Sequence, residues 1–312
     1  MTESSVILEV LDQVGACEPK RVLKSYALGD FLRLEIPPRE DILSPILQTQ
    51  SLSMIYAKRG VGKTHFALNI AYALACGGSF LKWSAPRPCK VLYIDGEMPA
   101  HAMQERLAKI VKESGLKADP ECFQIITPDM QDNGMPDIST LEGQEMIEPF
   151  VEQAEFIVVD NISTLARTGK ENEAEGWLPI QAWALSLRSR KKSVMFVHHA
   201  GKGGQQRGTS RREDVLDLVI ELKLPDDYKA DDGARFEVHF VKARHLAGGS
   251  AAQSFEAQLG ADGWSHRNIE RAELKQVLAL KEEGRSYRYI QKETGISKAR
   301  AQRMVKGYEE KS

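Results

Sequence analysis

Residues 51–64 read SLSMIYAKRGVGKT. The first six form a short apolar run of strand type. Ala57, Lys58, Arg59, Gly60, Val61 and Gly62 make a glycine-bearing loop, and residues 63–76 (KTHFALNIAYALAC) carry apolar side chains at helical spacing until Gly77-Gly78 stops them. Strand, loop and helix in that order are the context a phosphate-binding loop requires. Gly60 and Gly62 let the backbone curl so that successive N–H groups converge on phosphate oxygens. The helix N-terminus behind them adds a dipole that favours anions. Lys63 is placed to reach the outer phosphates and Thr64 to hold Mg2+ through its hydroxyl. Ala57 stands where such loops usually have their first glycine, a position alanine occupies when φ is negative. A chance Gly-Lys-Thr turn is the competing reading.

Outward from this loop the pattern alternates. Apolar strands at 91–94, 123–126, 156–159 and 194–197 are separated by helical stretches at 100–114, 141–153 and 177–190. Short apolar strands alternating with helices predict an α/β fold with a mostly parallel central sheet and helices on both faces. Residues 215–224 and 235–242 read as two more strands, a hairpin if the turn residues between them close it, and 247–253 (AGGSAAQ) as a small-residue turn. Pro37, Pro38 and Pro45 interrupt the region before the first strand. From 271 the pattern is helical, broken at Gly284 and Gly295. The expected organisation is a lead-in or cap at 1–35, an α/β core at 36–265 and a small all-α unit at 271–312.

A phosphate loop needs carboxylates at neighbouring strand ends to act on ATP. Asp160 ends the run FIVV and suits orientation of Mg2+; a strand-ending Asp that caps a turn is the alternative. Glu97 follows the strand VLYI in Ile94-Asp95-Gly96-Glu97, placed to polarise a water as general base. A surface acid is the alternative, and Asp95 is the weaker candidate for the base. His198 and His199 end the strand VMFV and point to opposite faces if both are extended, so only one can meet a nucleotide. A metal held by adjacent histidines without a third ligand is disfavoured. The segment after them, with Lys202, Arg207, Arg211 and Arg212 among glycines, reads as a mobile basic loop suited to a nucleic-acid backbone, with a plain flexible loop as the alternative.

Composition narrows the class. Over 312 residues, 42% hydrophobic and 28% charged side chains exclude wholesale disorder. Cys17, Cys76, Cys89 and Cys122 form no CxxC and lie near no histidine, which argues against a zinc knuckle or a disulfide scaffold. The acidic start and the lack of a long apolar run disfavour a signal peptide and a membrane span, so a reduced, cytoplasmic protein is expected. The net charge of −2 hides an asymmetry. Residues 271–312 hold 11 basic and 6 acidic side chains, net +5, and the other 270 hold 31 and 38, net −7. A basic tail on an acidic body points to a polyanion partner or to a solvated helical face.

That tail divides into three helices near 273–283, 287–293 and 297–307, with Thr294-Gly295-Ile296 as the turn and Ser297 as N-cap. A glycine turn between short helices is similar to the loose helix-turn-helix pattern. Lys298, Arg300 and Arg303 would offer donors to phosphates and guanine edges, with Gln302 and Lys306 nearby. Protein docking or oligomer stabilisation is the other role open to such a unit.

The ordered set of strand–loop–helix, IDGEM, FIVVDNIS, FVHHAGK, Gln206-Arg207-Gly208-Thr209-Ser210 and Val241-Lys242-Ala243-Arg244 resembles the RecA-like ATPases of the RepA type, over roughly residues 35–260. These are plasmid-encoded hexameric replicative helicases, more distantly related to DnaB. The resemblance implies a RecA-like P-loop core, ATP and Mg2+, Glu97 as catalytic glutamate and Asp160 as the Walker B acid. It implies the histidine pair as nucleotide sensor and Arg207 as an arginine finger reaching a neighbouring subunit. Lys242 and Arg244 would match a KxR arrangement working across the same interface. The alternative is a mobile-loop arginine for Arg207 and a solvated strand end for Lys242 and Arg244. The C-terminal helices go beyond the simplest member of that family. The expected function is an ATP-driven, ring-forming DNA helicase of a plasmid or other mobile element. It would pass single-stranded DNA through the ring, hold duplex DNA at the C-terminal unit and work with a primase or initiator protein. The alternative is an ATP-dependent DNA-binding regulator or loader that assembles without unwinding.

Overall fold

The computed structural model describes residues 23–167, 174–200, 213–246, 250–261 and 263–309. The chain divides into two compact units, Met1–Pro38 and Arg39–Ser312. In the first, the described part holds one short helix, α1 (Leu28–Leu32), whose Asp30 pairs with Arg33 at 3.0 Å.

The second unit is built on a sheet of nine strands. In chain order the elements are β1 (Asp41–Leu43), β2 (Leu47–Gln48), β3 (Leu52–Ala57), α2 (Lys63–Cys76), β4 (Ser79–Phe80), β5 (Trp83–Ser84), β6 (Val91–Asp95), α3 (Ala100–Ser114), β7 (Phe123–Ile126) and α4 (Leu141–Gln153). There follow β8 (Phe156–Asp160), α5 (Ile162–Leu165), α6 (Ala174–Ser189), β9 (Ser193–His199), β10 (Leu218–Lys223), β11 (Arg235–Ala243), β12 (Phe255–Gly260), β13 (Gly263–Asn268), α7 (Ile269–Glu282), α8 (Tyr287–Thr294) and α9 (Lys298–Glu309). The sheet order is β13-β12-β11-β10-β3-β9-β8-β6-β7. From β10 to β7 every neighbouring pair is parallel, and β10 to β13 run antiparallel.

The parallel strands are apolar because helices cover both faces, so no residue of β3, β6, β8 or β9 can be left to water. One apolar layer packs α2 and α3 on one face, around Phe66, Leu74, Met103 and Ile110. The other packs α4 and α6 through Ile147, Val151, Trp183 and Leu187. The α/β reading with a mostly parallel sheet therefore holds, and the helix at 100–114 and the strand at 123–126 have the expected bounds.

Three features depart from the sequence reading. β9 runs two residues further, so both histidines lie within the strand. Residues 41–48 form a small antiparallel hairpin whose Leu43, Ile46 and Leu47 are fully buried, so Pro45 marks its turn and the stretch is part of the core. The hairpin of β12 and β13 was not anticipated, because its outer strand is largely exposed and polar (GWSHRN) and offers no apolar run. The peptides Ser44–Pro45 and Asp160–Asn161 are cis.

The last three helices form their own small core of Val277, Ile290, Ile296, Ala301 and Val305. Ser286 caps α8 by accepting from the Tyr289 N–H, and Ser297 accepts from the Arg300 N–H at 3.3 Å. Gly295, at φ +71°, ends α8 in the left-handed conformation that favours glycine. No described helix is long and apolar enough to cross a membrane.

The aromatic cluster beneath the phosphate loop gives a stability prediction. Phe66 is fully buried and packs edge-on against Phe80, Trp83 and Phe236 at centroid distances of 5.4, 5.8 and 5.7 Å. Phe66→Ala should lower unfolding free energy by ~3–5 kcal/mol in a urea titration, through lost transfer energy and a cavity.

Candidate functional site

The carboxyl ends of β3, β6, β8 and β9 open into one cleft of ≈ 740 Å³, where open parallel sheets bind their ligands. The loop from 58 to 62 turns sharply because Gly60 (φ +80°) and Gly62 (φ +111°) take backbone conformations that side chains resist. A Cβ on Gly60 would meet open space, but one on Gly62 would lie 3.2 Å from the Phe236 ring. The loop is thus backed by β11. Lys63 and Thr64 open α2, whose N-terminus faces the cleft.

Lys63 is buried, and its Nζ donates to the carbonyls of Ala57 (3.3 Å) and Lys58 (3.2 Å). Burial lowers its pKa, with Asp160 and Glu97 opposing that shift. Asp160 and Asp95 stand side by side in the β6–β8 register. The Tyr93 hydroxyl donates to Asp160 at 2.7 Å, and the Thr64 hydroxyl lies close enough to favour its charged form. Burial nevertheless pushes the Asp160 carboxyl above its ordinary range and the Tyr93 hydroxyl well above its own. Burial, then the neighbouring Asp160, pushes Asp95 up to about 7.

Asp95 shapes the turn that presents Glu97. Its Oδ2 accepts from the Met98 N–H at 2.9 Å, and the Gly96 N–H donates to the Asp160 carbonyl at 2.7 Å. A Cβ on Gly96 would fall 2.3 Å from Thr164 Oγ1, so only glycine lets this turn lie on α5. Glu97 emerges half-exposed, its carboxylate accepting from Asn161 Nδ2 at 2.7 Å and 3.9 Å from His199 Nε2. His199 lines the cleft, whereas its neighbour His198 is fully buried and is not among the lining residues.

The remaining predicted residues are placed as follows. Arg59, Gly60, Val61, Gly62, Lys63 and Thr64 line the cleft, while Ala57 ends β3 behind it and Lys58 contributes its carbonyl. Lys242 and Arg244 lie at the end of β11, outside the cleft lining, and bond the carbonyls of Glu213 and Asp214. Arg300 pairs with Glu273 at 2.7 Å, while Lys298 and Arg303 are exposed on α9. Lys202, Arg207, Arg211 and Arg212 lie outside the described residues.

Sequence reasoning passed over several residues. Asn161, next to Asp160, orients Glu97. Arg106, nine positions after Glu97 on α3, lines the cleft and makes no ion pair among the described residues. His65 also lines it, and burial, reinforced by Arg106 and Lys109, lowers its pKa to about 4, which keeps the ring neutral near pH 7. Gly233 and Ala234 close one side from the loop before β11. Only Asn161 had a local signal, its adjacency to the strand-ending acid.

The donor set fits a nucleoside triphosphate with Mg2+. A glycine cradle open at Gly60 faces a lysine, and the Thr64 hydroxyl and Asp160 carboxylate are the hard oxygen ligands Mg2+ prefers. Asp95 Oδ1 is buried without a hydrogen-bond partner, a further acceptor next to that pair.

The AAA domain family, AAA_25, matches residues 18–205, more than half of the chain. Among solved structures, the KaiC-like protein of Pyrococcus horikoshii OT3 aligns at 16% identity and TM-score 0.48, covering 72% of this chain and 93% of that one. The flagellar accessory protein FlaH of Methanocaldococcus jannaschii aligns at 15% identity and TM-score 0.47, covering 70% of this chain and 90% of its own.

Asp95 makes the stability depend on pH. The folded protein keeps its proton to about pH 7, whereas the unfolded chain releases it near the ordinary value of 3.8. The folded state therefore binds more protons between those values, and its stability falls as pH rises through the window. Asp95→Asn keeps an oxygen for the Met98 N–H and cannot ionise. Without magnesium, its urea midpoint should vary less than the wild type's between pH 4 and 7, and should exceed it at pH 8.

Proposed function

We propose that this chain, which belongs to the AAA_25 family of AAA domains, is a RecA-like P-loop ATPase that hydrolyses ATP to drive a ring-forming DNA helicase. The observation that carries the hydrolytic part is that Glu97 lines the same cleft as Lys63 and Thr64. Two residues not meant for substrate, Asp95 and Asn161, hold it there. A water held by Glu97 gives up its proton to the carboxylate as it attacks the outer phosphorus, whose bond to the bridging oxygen breaks so that ADP leaves. Lys63 counters the phosphate charge, and the backbone N–H groups of the loop fix the phosphate chain. Thr64 and Asp160 would hold Mg2+, which when bound neutralises charge on the phosphate oxygens. His199, beside Glu97 and at the end of β9, is suited to sense whether the outer phosphate is present.

The DNA part rests on charge. Lys298 and Arg303 are exposed on α9 in a tail of net charge +5, and the sequence from 200 to 212 is rich in Lys, Arg and Gly. In this reading single-stranded DNA runs through a homohexamer, Arg207 completes a neighbouring subunit's site, and Lys242 and Arg244 work at the same interface. The C-terminal helices then hold duplex DNA, and the system is a plasmid or other mobile element with its own primase or initiator. The second reading is an ATP-dependent regulator or loader that does not unwind. Arg300, half-exposed beside Glu273, joins Lys298 and Arg303 as the phosphate contacts of α9 in either case.

Three measurements test the proposal. Glu97→Gln should lower kcat for ATP by ~10²–10⁴, the scale of a lost general base, while nucleotide affinity changes little. Lys63→Ala should abolish both binding and turnover; undiminished turnover would remove the phosphate-loop assignment. With a forked duplex, ATP and Mg2+, strand separation should accompany phosphate release and vanish in Glu97→Gln. Phosphate release on DNA without separation selects the regulator.

A further inference from the structure

The loop between β10 and β11, residues 224–234, meets two functional regions of the second unit. At one end Gly233 and Ala234 form a wall of the nucleotide cleft. At the other, Asp226 lies against the turn between α8 and α9, where a Cβ on Gly295 would come 3.3 Å from its Oδ2. The loop between these ends is bonded to itself. The Tyr228 hydroxyl donates to the Gly233 carbonyl (3.1 Å), the Tyr228 N–H to the Pro225 carbonyl (3.0 Å), and the Lys229 N–H to Asp232 (3.0 Å). Arg235, its side chain largely buried, then ties Asp232 (2.8 Å) and Asp227 (2.7 Å) to Glu256 of β12 (2.8 Å). A body cross-linked in this way moves as a unit.

Its charge bears on the turn it touches. Asp226, Asp227, Asp231 and Asp232 outnumber the single Lys229. The N-terminus of α9 carries the positive end of the helix dipole, and helices that read DNA present their N-terminal residues to it. A carboxylate held there repels an approaching phosphate.

We propose that the 224–234 loop couples nucleotide occupancy to DNA binding: Asp226 shields the α8–α9 turn, and a nucleotide seated against Gly233 and Ala234 shifts the loop and withdraws it. The inference rests on the reading of the C-terminal helices as a DNA-binding unit. By linkage, duplex DNA on α9 tightens nucleotide binding by the same factor.

The test uses the full chain, a fluorescein-labelled duplex and ATPγS with Mg2+. Wild-type protein should bind duplex about five- to tenfold more tightly with nucleotide, within the range of measured couplings. Asp226→Ala, an exposed loop change, should bind that tightly without nucleotide and gain less than about twofold from it. Asp226→Asn should behave alike if charge is the cause. Amide exchange of residues 287–300, measured without DNA, supplies a readout independent of DNA binding. Exchange should quicken in wild type when ATPγS is added and be fast throughout in Asp226→Ala. Duplex binding that is lost in Lys298→Ala/Arg303→Ala, yet insensitive to nucleotide and to Asp226 by both measures, overturns the coupling. Nucleotide-dependent exchange with no duplex binding by any form upholds the nucleotide-driven shift of the loop and overturns the DNA reading, and with it the coupling to DNA. Neither response overturns both.

Discussion

Two acidic side chains, Asp95 and Asp160, are held next to each other at the ends of buried strands, and the site is arranged around that strain. Burial pushes both carboxyls up, and the neighbouring charge of Asp160 raises Asp95 further. The surroundings answer with donors: the Tyr93 hydroxyl to Asp160, the Met98 N–H to Asp95, and the Lys63 ammonium nearby. A stretch of core built for stability alone would use apolar residues at both positions. The arrangement makes sense as a seat for Mg2+ and as the anchor of the turn carrying Glu97.

The antiparallel extension from β10 to β13 does two things for the parallel core. β11 sets Phe236 behind Gly62 and leads in from the loop that closes the cleft, and β12 supplies Glu256 to fix Arg235. β13 runs directly into α7, so the C-terminal helices hang from the same extension. The cleft and the basic helices therefore share one structural support.

What was legible in the sequence followed from local rules. Buried strands such as FIVVD need apolar side chains on both faces, and the helix of residues 63–76 is bounded by glycines that only those backbone conformations explain. The hairpin of β12 and β13 escaped because an edge strand facing water carries no apolar signature. The hairpin at 41–48 escaped because Pro45 breaks the apolar pattern at the point where it makes a turn. Arg106 and His65 escaped because their meaning comes from what α2 and α3 face, which periodicity along either helix does not express.

The sequence by itself determined the phosphate loop, the two strand-ending acids, Glu97 and the basic three-helix tail, since each is set by residue type at short spacing. Only the tertiary structure decided which of two adjacent histidines meets the cleft, that Asn161 orients Glu97, and that Arg300 pairs with Glu273. It alone brought Asp226 to Gly295 across 69 positions of chain. Contacts of that kind depend on strand order and register, which emerge when the buried faces of distant segments find one common core.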